Sequence, residues 1–167
     1  MSRPPEESPP NAERQELIAS VTRDAATYLG MDLERHSAKQ IVTEVNDVIM
    51  ELVFSEATPI PDSEQPDILL GCLWGSQMVR ELGWSWANLQ FEDYTEVAVV
   101  SPSRDMAIYP FTFVGRCIAK QCICTVALSF NMLVQRRTEQ VYPPGTYEDV
   151  MELIHHIVPP YTLTPAE

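Results

Sequence analysis

Basic residues are almost missing from the middle of this 167-residue chain. Between Lys39 and Arg104 the only one is Arg80, set against eleven acids, so this stretch carries −10 of the formal net charge of −13. A field of one sign and that density repels nucleic acid and anionic lipid, and it draws in basic partners. Long apolar runs are missing too. The longest, Ile68 to Gly75, is far too short to cross a bilayer, and the first residues lack the apolar segment of a signal peptide. A cytosolic location is predicted, with no nucleic acid and no membrane among the partners. Cysteine is sparse: Cys72, Cys117, Cys122 and Cys124 are expected to be reduced thiols.

The usual signs of chemistry are absent as well. There is no G-x-S-x-G, P-loop, dinucleotide fingerprint or H-E-x-x-H, so no catalytic residue, no cofactor and no enzymatic activity is predicted. Cys117, Cys122 and Cys124 form C-x4-C-x-C, and His155-His156 could complete a zinc site. Structural zinc normally uses paired knuckles in loops, whereas these thiols fall among Ile118, Ile123 and Val126. Neighbouring histidines on a helix point about 100° apart and do not readily share an ion. No metal is predicted. Cys72 sits in a nearly all-apolar helix, which raises a thiol's pKa and suits a core role.

What is present describes one domain. Fourteen prolines gather mainly at the ends and in one loop, giving a disordered leader over 1–11, a single domain over 12–159 and a flexible tail over 160–167. Asn11 and Gly30 bracket a first helix with apolar positions Leu17, Ile18, Val21, Ala25, Tyr28 and Leu29. Ser37 and Gln40 form a capping box before a second, running from Ile41 to Val53. Prolines make 58–66 a loop, and Asp67 is expected to cap a third helix ending at Gly83. Two glycines one turn apart within it, Gly71 and Gly75, suggest close approach of a neighbour, since each costs about 1 kcal/mol relative to alanine.

Beyond Gly83 the period becomes that of strands. Residues 84–91, 95–101 and 106–109 predict an antiparallel meander, with a bulge where the apolar side switches from Trp84/Trp86 to Leu89/Phe91. Three further helices follow; the last is expected to run from Tyr147 to Ile157, ahead of Pro159. The fold class is α+β, with helices on one face of a small sheet.

The segment Leu70-Gly-Cys-Leu-Trp-Gly75, continuing through Leu82-Gly-Trp-Ser-Trp86, Val99-Val-Ser-Pro102 and Ile108-Tyr-Pro-Phe111, resembles a family of small uncharacterised bacterial proteins. The resemblance covers about residues 65–135. It implies a cytosolic α+β domain and no particular reaction. Size and acidity, apart from any motif, are those of bacterial immunity proteins, which neutralise a toxin.

The functional expectation is therefore a non-enzymatic domain that binds a basic protein, a toxin or a secreted effector. Its contact residues are expected among acids the core does not need: Asp62, Glu64, Glu92, Asp93 and Glu96. Two alternatives stand beside it. One is a ligand pocket between sheet and helices using Arg80, Trp84 and Tyr109; the other is a chaperone or adaptor using the acidic helix face and the proline-rich ends.

Overall fold

A computed structural model describes residues 3–54, 58–120, 123–135 and 142–157. The tail from 160, Cys122, and the side chains of His155 and His156 lie outside the described residues. Among the described residues six helices and a five-stranded sheet form an α+β fold. Helix α1 (Ala12–Leu29) begins where Asn11 accepts the Arg14 amide at 2.8 Å, and it ends at Gly30, whose φ is 67°. Its buried positions are Ile18, Thr22, Ala25, Ala26 and Leu29, so Leu17 faces solvent at 55% exposure instead of joining the core. The reason is a close seat on the third helix, where Thr22 meets Ser76 at 3.1 Å. Helix α2 (Ala38–Val53) starts at the expected capping box, with both reciprocal hydrogen bonds formed.

Helix α3 (Pro66–Leu82) is the hub. It contacts α1, α2, α4, α5 and two strands, and nine of its residues, including Trp74 at 0% exposure, are buried. It starts two residues earlier than expected, with Gln65 in place of Asp67 at the N-cap position. Pro66 holds the first position, where its missing N–H costs nothing, and Asp67 lies inside the first turn without capping it.

Strands β1 (Glu6–Ser8), β2 (Ser85–Gln90), β3 (Thr95–Val100), β4 (Met106–Ile108) and β5 (Glu148–Asp149) lie in chain order across the sheet. The central three form the expected antiparallel meander. Strand β1 adds antiparallel at one edge, and β5 adds parallel at the other. Two expectations change here. The leader supplies β1, held because Glu7 accepts from Arg104 at 2.8 and 3.0 Å and from Tyr147 at 3.3 Å. The bulge in β2 is absent: Ser85 to Gln90 pair residue for residue with Val100 to Thr95. The apolar side switches because both faces are covered. Trp84, Val99 and Ile108 face the helices, whereas Ala87, Leu89, Ala98, Val100 and Ala107 form a second cluster packed against Phe91, Tyr109 and Tyr147.

Helices α4 (Pro110–Lys120), α5 (Val126–Gln135) and α6 (Val150–Ile157) are the remaining described elements. The last starts later than expected. Tyr147 has φ of 51° and gives its N–H to the Arg104 carbonyl at 3.0 Å, while the Glu148 N–H goes to Asp105, so the sheet takes these residues before a helix can. Among the described residues no helix is long and apolar enough to cross a membrane.

The glycine and tryptophan motif has a packing explanation. A Cβ on Gly75 would lie 2.5 Å from Trp86, and one on Gly71 would lie 2.6 Å from the Phe111 side chain and 3.2 Å from the Pro110 backbone. Trp86 and Phe111 are themselves stacked, with centroids 6.1 Å apart. The Ser-Pro element is a turn: buried Asp105 accepts from Ser101 at 2.7 Å and from Ser103 at 2.6 Å.

Candidate functional site

The five candidate acids fall in two places. Asp62 and Glu64 are exposed in the loop before α3, where Glu64 accepts from Tyr28 of α1 at 3.3 Å. Glu92, Asp93 and Glu96 lie at the β2–β3 turn and the start of β3, and they border a cleft between that turn, α4 and the segment leading into α6. The sequence places them in two loops flanking the central helix and sheet, and of the five only Glu92, Asp93 and Glu96 border the cleft.

The cleft comprises two pockets, an inner and an outer lobe, whose linings share Phe91 and Tyr94. The inner lobe, about 200 Å³, is bordered by these rings with Tyr109, Glu96, Thr112, Arg116 and Asp149. The outer lobe, about 840 Å³, adds Glu92, Asp93, Tyr147, Glu148 and the leader residues Arg3, Pro4 and Pro5. Phe91 stacks on Tyr94 at 4.8 Å between centroids and tilts against Tyr109 at 6.3 Å. Hydrophobic burial of Phe91 over the second sheet cluster fixes the turn that carries Glu92 and Asp93.

Five carboxylates therefore border a cleft whose lining rings include Phe91, Tyr94, Tyr109 and Tyr147. Among the described residues two cations border the cleft, and both are directed to other acids: Arg116 donates to Glu152 at 2.9 Å, and Arg3 donates to Glu6 at 3.1 Å. Glu96 accepts from the Thr112 hydroxyl. Asp149 caps α6 by accepting the Met151 N–H at 2.9 Å. Burial pushes the Asp149 carboxyl above its ordinary value, with the nearby Glu152 charge adding to the rise. Burial also pushes Tyr109 upward, reinforced by the charges of Asp149 and Glu96. The tyrosine stays a neutral phenol, able to donate.

The ion pairs Arg3–Glu6, Arg23–Glu16, Arg35–Asp32, Arg104–Glu7 and Arg116–Glu152 all use acids outside 40–103. Arg80, its only base, turns to the carbonyls of Leu33 and His36 at 3.1 and 3.0 Å. The alternative pocket set is not brought together. Trp84 is buried against the helices and Arg80 is bound to the loop after α1, so only Tyr109 reaches the cleft.

Cys72 is 2% exposed, and burial pushes its thiol up to about 12, which makes it a poor nucleophile. Cys117 and Cys124 are buried and share a hydrogen bond. Among the described residues no group of three or more His, Cys, Asp and Glu side chains is placed to hold a metal.

Sequence reasoning missed Phe91, Tyr94, Glu148 and Asp149. The first two had a local signal, an acidic pair bracketed by aromatics in Phe91-Glu-Asp-Tyr94. The last two had none, because β5 is only two residues long. The chain matches no protein-family model, no curated protein and no solved structure.

Proposed function

We propose that this chain is a non-enzymatic acidic docking domain that engages a basic protein through the cleft at the β2–β3 turn. The observation that carries the reading is the convergence of Glu92, Asp93, Glu96, Glu148 and Asp149 on one aromatic-walled cleft whose two arginines are directed to other acids. In its specific form the partner is a toxin and the chain an immunity protein. Its carboxylates then stand where phosphates would otherwise enter the toxin's basic cleft. Charge complementarity of this kind speeds encounter more than it deepens affinity.

A nona-arginine peptide is the defined probe, with association measured by stopped flow across a salt series. Reversal of the turn acids (Glu92→Lys, Asp93→Lys and Glu96→Lys together) is expected to slow association by about tenfold at low salt and to flatten its salt dependence. Reversing Asp47, Asp62 and Glu64, exposed acids elsewhere, changes the net charge by the same amount and should have the smaller effect. Equal effects of the two sets would show only diffuse attraction by net charge and would refute the site.

A further inference from the structure

We infer that the inner lobe of the cleft receives a single arginine side chain of the partner, held by Glu96 and Asp149 among the rings of Phe91, Tyr94 and Tyr109. This rests on the docking reading above and extends it by naming the group that is taken and the residues that take it.

Size is the first argument. Pockets for whole small molecules span about 300–1,000 Å³, whereas the inner lobe holds about 200 Å³, room for a side-chain head and little else. Charge is the second. Asp149 is fixed in place by accepting the Met151 and Glu152 amides at the start of α6, and Arg116, the one cation bordering the lobe among the described residues, donates to Glu152 and bears on Asp149 only as the smallest of the influences on it. A carboxylate partly withdrawn from water with no cation bonded to it is costly, and an entering cation offsets that cost. The upward shift of the Asp149 carboxyl, caused first by burial, agrees with a charge awaiting a partner.

The walls choose between cations. A guanidinium is planar, weakly hydrated and able to lie against an aromatic face while its fork of N–H groups reaches carboxylates. An ammonium is compact and strongly hydrated, and it gains less from three rings. Glu96 keeps acceptor capacity beyond its bond from Thr112, and Asp149 keeps capacity beyond the Met151 and Glu152 amides. The lobe is also open to a partner, since Tyr94 at its rim is 55% exposed.

The test follows amide chemical shifts of the full chain during titration with acetyl-Gly-Arg-Gly-amide, and with the same tripeptide carrying lysine or citrulline. The arginine peptide should give saturable shifts confined to Phe91, Tyr94, Glu96, Tyr109 and Thr112. The lysine peptide should bind several-fold more weakly and the neutral citrulline peptide not at all. Asp149→Asn, which keeps the cap acceptor, should weaken the arginine peptide by about tenfold, as should Glu96→Gln; Asp62→Asn should leave it unchanged. Lysine binding as tightly as arginine, or shifts scattered over the acidic surface, would overturn the inference. If those shifts scatter while nona-arginine still depends on the turn acids, the inner site falls and the docking face stands. If neither probe binds, both fall.

Discussion

Replacing Gly75 with alanine separates two opposing contributions. A new Cβ would lie 2.5 and 2.6 Å from two carbons of the Trp86 ring and 3.1 Å from Val99. Carbon contacts settle near about 3.5–4.0 Å, so the indole would have to retreat by about 1 Å. Phe111 is stacked on the indole and is itself seated against Gly71, so a shift of one ring disturbs the other. Overpacking of this kind costs about 1–3 kcal/mol, and alanine returns about 1 kcal/mol of helix propensity. Because the Cβ would meet two ring carbons and Val99 together, the upper half of the range applies. The net loss is about 1–2 kcal/mol, a fall in Tm of about 2–8 °C for a domain of this size. Gly115→Ala is the contrast: its Cβ would meet only Asp67, at an ordinary 3.7 Å, so propensity alone acts and Tm should rise. Thermal unfolding by circular dichroism measures both. Trp86→Phe in the Gly75→Ala background should recover part of the loss, with coupling of about 1 kcal/mol in a double-mutant cycle. If Gly75→Ala raises Tm as Gly115→Ala does, the close seat of Trp86 on α3 is wrong.

Other expectations follow from single interactions. Glu7→Gln removes the charge that holds β1 through Arg104, a pair 25% and 31% exposed, and should cost about 1 kcal/mol, read as faster amide exchange at Glu6–Ser8. Because Arg104 lowers the Glu7 pKa, that stability is present above the ordinary carboxylate range and is lost as pH falls through the depressed value. Asp149→Asn should act oppositely. The Asp149 pKa is raised in the fold, so its contribution is fullest at acid pH and is lost as pH rises; the variant should gain Tm over the parent at pH 7 and less at pH 4. Cys72 should resist alkylation by iodoacetamide in the native state and react on unfolding, as followed by mass spectrometry.

Much of the helical frame was legible because helix signals are local. Asn11, Gly30 and the Ser37–Gln40 box sit within four residues of what they cap, and each does what its position implies. The meander was legible for the same reason, through the turn between β3 and β4. The edge strands were not. Strands β1 and β5 hold three and two residues, too few for a period to register, and their places depend on partners 97 and 42 residues away. The bulge was inferred from a change of apolar face on the assumption that one side of β2 meets water. The second cluster under Phe91, Tyr109 and Tyr147 removes that assumption. The candidate site divided for a related reason. Composition reports that acids are abundant, but not that Glu64 turns toward Tyr28 while Glu96 turns toward Thr112.

The packing motif and the cleft are nonetheless mechanically linked through α4. Phe111 packs on Gly71, and Phe113 tilts against Trp74 with centroids 5.6 Å apart. Tyr109, Thr112 and Arg116, spaced by three and four residues, border the cleft. Each part of the first turn is therefore placed by its neighbour. Gly71 has the tighter constraint, because part of what its Cβ would meet is the Pro110 backbone, which cannot turn aside as a side chain can. Gly71→Ala should push the start of α4 outward and carry Tyr109 and Thr112 with it. Its effect should then exceed lost stability: well below the melting transition, where the variant is fully folded, arginine-peptide affinity should fall several-fold. Gly75→Ala acts on Trp86, which does not border the cleft, and should leave that affinity unchanged at matched stability. Equal affinity losses in the two variants would mean that general loosening, and not the seat of α4 on Gly71, determines the geometry of the site.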